Sequence, residues 1–552
     1  MTDLSSASFK RILPAWLSRP SLGVVTLTVV CALFVVTVDS YAFWSRLFQV
    51  VDASTLRHAA FLVTVFVVLV AWLTLFFSLF GIKYLFKPVL IVMLVTASMA
   101  GYFMSQNGVV IDSVMIRNMA ETNYNEASEL LTAKSALYFL ATGLLPALFV
   151  IAVRIKYRPF FREVLVRGAT MLMASVLLVG GLLAFYKDFS FVGREHSDLR
   201  FYINPTYPVH SVVKYFVNRS RSTGLVLVGA DAHRKAATVT DGKSTLVLVV
   251  VGETARASAF SLNGYGRLTN PELGKEHVIN FRNVSSCGTS TAISVPCMFS
   301  MFGRDGFNGD AEHYENLLDV LAHAGVNVLW RDNNAGCKGV CARVASEQVS
   351  DNLNPVLCHA GECYDEELLT GLQEYLDKIK GDTVVVLHQM GSHGPSYYLR
   401  HPASYTRFQP ECAIANVEDC SSEMLMNAYD NTIAYTDHFL AEVIHLLKRN
   451  SAAFDSAMVY VSDHGESLGE HGVYLHGLPY AFAPDEQKKV PMVLWLSDEL
   501  TKGASIDGDC LARNRDTAYS HDNLFHSVLG VMAVETAVYR AERDLFSTCR
   551  TG

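Results

Sequence analysis

Hydrophobic and polar positions divide this chain near residue 187. Before that point long uncharged runs dominate. Five of them, roughly 21–45, 58–80, 85–104, 135–155 and 168–186, reach the length of about 20 mostly apolar residues that crosses a bilayer core. Only the first holds an acid within it, Asp39. Runs without a polar face do not suit the surface helices of a soluble protein, so five transmembrane helices are expected. The first run is too long for a signal peptide, lacks a small-residue cleavage site and is followed by four more spans.

After residue 187 the pattern changes. A polar connector over 187–243 contains Pro205 and Pro208, and from 244 short β-branched runs (TLVLVVV, NVLW, TVVVLH, AMVYVS, VPMVLWLS) alternate with helical patterns. Continuously apolar strands separated by helices predict a parallel sheet covered on both faces. Residues 244–552 therefore read as an α/β domain, and 1–186 as a five-helix membrane domain. Between the third and fourth spans, near 105–133, the stretch MIRNMAETNYNEASELL has the look of an amphipathic helix at the membrane interface. Asn118, Thr122 and Glu126 would share one of its faces at i, i+4 and i+8.

Composition and charge sharpen this division. The chain has 552 residues, 51% of them hydrophobic and 18% charged, an apolar excess for a globular protein. A net charge of −8 gives no footing for nucleic acid, which calls for a concentrated basic surface. The basic residues also orient the spans. Lys10, Arg11 and Arg19, then Lys83 and Lys87, then Arg154, Lys156, Arg158, Arg162 and Arg167 all fall on one side if five spans alternate, which marks that side as cytoplasm. The segment near 105–133 and everything after 187 then lie outside it.

Cysteine agrees with that topology. Of 11 cysteines only Cys31 precedes residue 280. The others read as close pairs, Cys287/Cys297, Cys337/Cys341, Cys358/Cys363 and Cys412/Cys420, with Cys510 and Cys549 left over. A dense, even set in an exported domain means disulfides, although spacing alone does not fix connectivity. Zinc fits these cysteines less well, because no paired CxxC spacing occurs.

The candidate chemistry sits where the predicted strands end. TLVLVVV runs into Gly252-Glu253-Thr254, NVLW into Arg331-Asp332-Asn333-Asn334, TVVVLH into Gln389-Met390-Gly391-Ser392-His393, and MVYVS into Asp463-His464-Gly465-Glu466. In an open α/β sheet, ligands bind beyond the carboxyl ends of the strands. Glu253, Asp463 and His464 form a ligand set that suits catalytic zinc, with a fourth position left for the reacting group. The hydroxyl-rich stretch Ser286-Cys287-Gly288-Thr289-Ser290-Thr291-Ala292 leads into a helix start, where a hydroxyl could attack phosphorus and the helix N-terminus could receive phosphate oxygens. Ordinary N-capping accounts for such hydroxyls too, and composition does not separate Thr289, Ser290 and Thr291.

Five long motifs carry a resemblance: GETARASAFSLNGYGRLTNP (252–271), SCGTSTAISVPCMFS (286–300), WRDNNAGCKGVC (330–341), LHQMGSHGP (387–395) and SDHGESLGEHGVYLHG (462–477). Together with the five-span anchor they make nearly the whole chain resemble the phosphoethanolamine transferases that modify lipid A, the group that includes the mobile colistin-resistance enzymes. The resemblance implies a periplasmic catalytic domain of alkaline phosphatase/sulfatase-like fold on a multi-pass bacterial inner-membrane anchor. It puts zinc on Glu253, Thr291, Asp463 and His464, with Thr291 as nucleophile. Second-sphere and head-group positions fall on Asn334, Lys338, His393, Glu466 and His476, and further head-group contacts on Asn118, Thr122 and Glu126. His393 and His476 could shuttle protons or hold a second zinc, and Lys338 could counter phosphate charge. His388 has an equally good reading as a structural histidine at a strand end and is left out.

The implied reaction moves phosphoethanolamine from phosphatidylethanolamine to lipid A through a threonine adduct, with a single copy of the chain as the working unit. The implied consequence is resistance to polymyxin and other cationic peptides. Rival readings keep the chemistry but place the group on a core sugar or glucan, or make the chain a membrane-bound phosphatase or sulfatase. The sulfatase pattern is broken at Ser294-Val295-Pro296-Cys297-Met298, which lacks the arginine that would end it. A non-catalytic lipid receptor would have no need of intact Glu253, Thr291, Asp463 and His464.

Overall fold

The structure, a computed structural model, describes residues 20–122, 124–219, 224–235, 243–307, 311–352, 354–359 and 362–551. The chain forms two compact units, one of Met1–Ser105 with Ala133–Val209 and one of Gln106–Thr132 with His210–Gly552.

The first unit is helical. Leu56–Leu79, Phe86–Gln106, Ala133–Ala152 and Phe160–Ala184 are each long and apolar enough to span a membrane. The expected first span is not one straight rod: Val24–Asp39 and Tyr41–Val50 meet at 62°. A π-helical turn, Val35–Asp39, precedes the bend. There the Ser40 hydroxyl donates to the Val35 carbonyl at 2.9 Å and the Trp44 indole N–H to that of Val36 at 2.8 Å, taking up carbonyls that a continuing helix would have used.

The last span begins at Phe160, eight residues before the hydropathy pattern placed it, so Arg162 and Arg167 lie in its first turns and not in the preceding connection. Their long side chains let a helix keep charge at its membrane-surface end. Arg167 donates to the carbonyls of Gly81 (2.9 Å) and Ser78 (2.6 Å), closing the C-terminus of Leu56–Leu79 as a cation should. Those two helices approach closely at Gly181, where a Cβ would stand 2.8 Å from a Val68 methyl.

The expected connector is largely helical, with Tyr186–Glu195 and Thr206–Arg219. Pro208 does not interrupt the latter because it sits in the first turn, where no intrahelical N–H is required. The division between units falls after Val209, later than residue 187. The expected interfacial segment, Gln106–Thr132, belongs to the second unit and is called the strap below. Its helix Ser113–Glu121 starts on Asp112, whose carboxylate accepts from the N–H groups of Val114 and Met115 at 2.9 Å each. It stops at Thr122, which is extended (φ −67°, ψ 137°), and a second short helix follows over Tyr124–Glu129. The continuous face predicted for Asn118, Thr122 and Glu126 is therefore broken. The Thr122 hydroxyl turns back onto the Asn118 carbonyl at 2.7 Å, an alternative to the helical bond that threonine commonly takes. The side chain of Glu126 lies outside the described residues.

The rest of the second unit is built on an eight-stranded sheet of β1 (Ser244–Gly252), β2 (Ile279–Ser285), β3 (Asn327–Asp332), β4 (Ala345–Gln348), β5 (Thr383–His388), β6 (Phe454–Ser462), β7 (Lys489–Leu496) and β8 (Tyr519–Ser520). Their spatial order is β8-β2-β7-β6-β1-β5-β3-β4. Pairing is parallel except at β7, which is antiparallel to both β6 and β2. The sheet is thus mixed where a wholly parallel one was expected. An apolar run such as VPMVLWLS reports burial on both faces and says nothing about strand direction.

Burial on both faces is what the runs required. Val247, Val249 and Val251 of β1 point into one core with Val295, Met298 and Phe525, while Leu246, Leu248 and Val250 point into the other with Phe439, Leu440 and Ile444 of the long helix Ser422–Arg449. Each such side chain contributes about 1.5–3 kcal/mol on leaving water. Cys287–Cys297, Cys337–Cys341, Cys358–Cys363, Cys412–Cys420 and Cys510–Cys549 are joined as disulfides, and Cys31 is free and buried.

Candidate functional site

The carboxyl ends of β1 and β6 are neighbours in the sheet, with Ser462 paired to Gly252, so Glu253 and Asp463 emerge side by side. His464 follows, and their ligand atoms all lie within 4.8 Å of one another, fully buried. The backbone holds them rigidly. Thr254, at φ 61°, turns its N–H onto Asp463 Oδ1 (3.1 Å), and the His464 N–H donates to the same oxygen at 2.7 Å. Asp463 Oδ2 has no hydrogen-bond partner among the described residues. Glu253 accepts from the Thr254 hydroxyl at 2.5 Å on Oε1 and from Asn334 Nδ2 at 2.8 Å on Oε2. Gly391 (φ 54°) passes so close beneath that a Cβ would stand 2.6 Å from the Glu253 carbonyl.

The protonation pattern follows from this setting. Burial opposes charge on both carboxyls. At Glu253 the surrounding His464, His393 and His476 outweigh it and hold the group at about 2. At Asp463 burial and the adjacent Glu253 push the pKa well above the carboxylate range. Burial, with His476 beside it, lowers His464 to about 3, so this imidazole is neutral. Its Nδ1 faces the Gly465 carbonyl at 3.0 Å. A carbonyl only accepts, so Nδ1 carries the hydrogen and Nε2 presents its lone pair toward Glu253 (3.4 Å) and Asp463 (3.3 Å). Two carboxylate donors, one of them with an unsatisfied buried oxygen, and a bare imidazole nitrogen fit a divalent cation such as zinc.

The three adjacent hydroxyls separate cleanly. That of Thr289 donates to the Leu478 carbonyl at 2.5 Å. Ser290 is the N-cap of Thr291–Met298 without a side-chain cap bond, and its hydroxyl is buried with no partner among the described residues. Thr291 Oγ1 stands 3.1 Å from Glu253 Oε2, 3.3 Å from Oε1 and 3.3 Å from His464 Nε2. It is the hydroxyl that meets the ligand cluster.

The remaining expected residues form a second tier. Asn334 Nδ2 also donates to the Gln389 carbonyl at 2.9 Å, fixing its amide. Glu466, buried, accepts from His476 Nδ1 at 2.9 Å and from the Tyr397 hydroxyl at 2.6 Å. The His476 ring lies 4.3 Å from that of His464 and 5.7 Å from that of His393. Asn118 comes near this group, its Nδ2 3.9 Å from where a Cβ on Gly477 would stand. Lys338 stands apart from the ligand cluster. It donates to the Ala335 carbonyl at 2.9 Å and lines a cavity of about 730 Å³ with Arg117, Glu121, Pro296 and Arg343. His388 is buried on Asp332 at 3.0 Å and against Trp330.

Sequence reasoning missed Thr254 and Tyr397. A threonine with positive φ beside an acid has no local signature. Tyr397 could have been suspected only from SHGPSYY lying at the end of a strand. Burial and then Glu466 raise its pKa far above the usual phenol value, so it remains a neutral donor.

Comparison with known proteins identifies the family. Residues 245–534 match the sulfatase family model, and residues 69–220 match the family described as phosphoethanolamine transferase EptA/EptB. Phosphoethanolamine transferase EptA of Escherichia coli K12 is 41% identical over 543 residues, covering 97% of this chain and 98% of that protein. Phosphatidylethanolamine transferase Mcr-1 of Escherichia coli is 38% identical over 534 residues, covering 94% and 96%. The solved structure of the integral membrane lipooligosaccharide phosphoethanolamine transferase A from Neisseria meningitidis superposes with a TM-score of 0.94 at 36% identity, covering 97% of this chain and all of that one. With its apolar helices, its sulfatase-like α/β unit and full-length relatives at about 40% identity, this chain belongs to the EptA family of phosphoethanolamine transferases.

Proposed function

We propose that the enzyme transfers phosphoethanolamine from phosphatidylethanolamine to a phosphate of lipid A through a covalent adduct on Thr291, with zinc held by Glu253, Asp463 and His464. The chain is anchored in the inner membrane and its α/β unit works in the periplasm. One observation carries the proposal: the Thr291 hydroxyl, at a helix N-terminus, lies within 3.3 Å of both Glu253 and His464.

Zinc bound there supplies Lewis-acid stabilisation of the charge that develops on the phosphoryl oxygens. The protein's own groups do the rest. The Thr291 hydroxyl gives up its proton as Oγ1 bonds to phosphorus, and the bond from phosphorus to the glycerol oxygen breaks. Phosphate oxygens face the N–H groups that open Thr291–Met298, and Lys338 is assigned to counter their charge by resemblance alone. Glu466 holds His476 through Nδ1, leaving the other ring nitrogen to take up the Thr291 proton and pass it to the departing glycerol oxygen, and diacylglycerol leaves. In the second step a phosphate hydroxyl of lipid A bonds through its oxygen to the phosphorus of the adduct, the bond from phosphorus to Thr291 Oγ1 breaks, and the proton of that hydroxyl passes through His476 to Oγ1. Asn118 and Thr122 are assigned to the ethanolamine end, and Glu126 with them by resemblance alone. The added ammonium offsets lipid A's negative charge and so weakens attraction for polycationic peptides such as polymyxins.

Mass spectrometry of lipid A from cells expressing the wild type beside Thr291→Ala tests this. The wild type is expected to add phosphoethanolamine to a phosphate and the variant to add none. Modification by the Thr291→Ala protein would sink the threonine adduct, and a product carrying the group on a core sugar would replace the acceptor. Metal analysis of the purified enzyme tests the zinc separately.

A further inference from the structure

A second buried charge cluster lies outside the ligand set and none of the steps above employs it. Arg400 follows the turn Tyr397–Leu399, and its side chain is 2% exposed. Each edge of its guanidinium is occupied, and by a different part of the unit. Nη2 donates to both carboxylate oxygens of Glu129 at 2.8 and 2.9 Å. Nη1 donates to Glu362 Oε2 at 2.6 Å, and Nε to the His393 carbonyl at 2.8 Å.

These partners differ in what they carry. Glu129 ends the second short helix of the strap, the segment that also holds Asn118 and Thr122. Glu362 sits in the two-residue pairing closed by Cys358–Cys363, which bears no candidate site residue. The His393 loop is tied onward: the N–H of Ser392 donates to the Glu253 carbonyl at 3.0 Å. The strap is fastened at its other end too, where the Tyr474 N–H donates to the Asn107 carbonyl at 3.0 Å. A planar fork can satisfy three partners in fixed directions, which a lysine ammonium cannot.

We infer that Arg400 is a positioning residue, whose guanidinium sets the end of the strap and the His393 loop against each other and so holds the donor-binding contacts of Asn118 and Thr122 in register with the ligand cluster. It touches neither the proposed donor nor Thr291. The inference rests on the donor reading given above. It predicts an asymmetry between two carboxylates that hold the same guanidinium with comparable hydrogen bonds. Loss of Glu129 releases the strap, whereas loss of Glu362 releases a hairpin that bears no candidate site residue.

The test uses the full-length enzyme in detergent micelles with a fluorescent phosphatidylethanolamine, comparing Glu129→Gln with Glu362→Gln. Both isosteric changes remove one charge from the cluster, so a purely structural role would make them behave alike. Glu129→Gln is expected to raise the donor KM by about tenfold with kcat within about twofold, while Glu362→Gln leaves KM within about twofold. Arg400→Lys, which keeps the charge without the fork, is expected to show the Glu129 phenotype. Equal KM shifts in the two glutamate variants, or none in either, would overturn the assignment. If Glu129→Gln does not accumulate, Glu129→Asp, shorter by one methylene, gives the same reading. Failure of the underlying donor reading shows elsewhere, as a wild-type enzyme that does not cleave the lipid or a Thr291→Ala variant that does.

Discussion

Two buried aspartates at the same edge of the sheet, Asp365 and Asp463, show what separates a structural carboxylate from a candidate metal ligand. Burial raises the pKa of each. Asp365 is saturated: it accepts from the N–H groups of Met390 (2.7 Å) and Gly391 (3.0 Å), from Asn333 Nδ2 (2.9 Å) and from Gln389 Nε2 (3.1 Å). Every donor belongs to a loop that must hold its shape. Asp463 takes two backbone N–H groups on one oxygen and leaves the other bare. In a folded interior an unfilled acceptor costs free energy, so a site that keeps one is reserved for something the chain does not itself provide.

The strongest break of this comparison is Asp463→Asn. Zinc affinity should fall by more than about 100-fold, beyond the range for removing an outer-sphere partner, and transfer should fall by about 10³-fold or more. The metal-free protein should be no less stable, because the change removes a buried charge conflict. Metal analysis and thermal unfolding with and without chelator would check both halves. A variant that retained zinc would remove Asp463 from the ligand set.

Asp365→Asn should do the reverse. Placing an amide against backbone N–H donors should cost about 1–3 kcal/mol of stability while zinc remains bound, as read by denaturant unfolding beside metal content. Smaller is Tyr397→Phe, which withdraws one donor from the buried Glu466. A hydrogen bond to a charged group is worth about 1.5–3 kcal/mol, so kcat/KM should drop roughly tenfold or somewhat more with zinc content unchanged. Full activity in that variant would detach the Glu466–His476 pair from the reaction.

The smallest effect concerns histidines and repeats the contrast. His464 is lowered to about 3 and stays a neutral imidazole. Burial acts to lower His438 as well, but Glu366 and Glu272, each 2.9 Å from one ring nitrogen, overcome it and raise this group from 6.5 to about 9. A folded-state pKa above the unfolded one contributes stability that is complete below about pH 6.5 and lost as pH rises through about 9. His438→Gln should therefore destabilise the enzyme at pH 6 and have little effect above pH 9. A penalty independent of pH would mean that packing against Tyr405, 4.7 Å between ring centres, matters more than the charge.

Much of the plan was readable from residue order because it rests on local or periodic signals. Span positions followed from apolar length, and the acid-bearing ends of β1 and β6 followed from runs that stop at Glu253 and Asp463. What escaped depends on distant parts of the chain. Thr291 is set apart from Thr289 and Ser290 only by contacts 38 and 173 residues away. The reversal of β7 comes from its pairing with β6 and β2 and leaves no mark on composition. The break at Thr122 involves neither glycine nor proline, and the early start of the last span is hidden by Arg162 and Arg167, of which Arg167 bonds carbonyls at the end of another helix.

The strap has a further consequence, in the order of synthesis. Gln106–Thr132 leaves the ribosome well over a hundred residues ahead of β1, yet Arg400 and the Thr291 helix against which it packs come later still. Two more spans must be inserted in the interval. The strap is therefore delivered to the far side of the membrane long before its binding surface exists, and it docks only when the catalytic unit has been exported and folded. A fragment begun at His210 would lack that strap, leaving Arg400 with one carboxylate in place of two, so the natural border of the catalytic unit is not a single point in the chain.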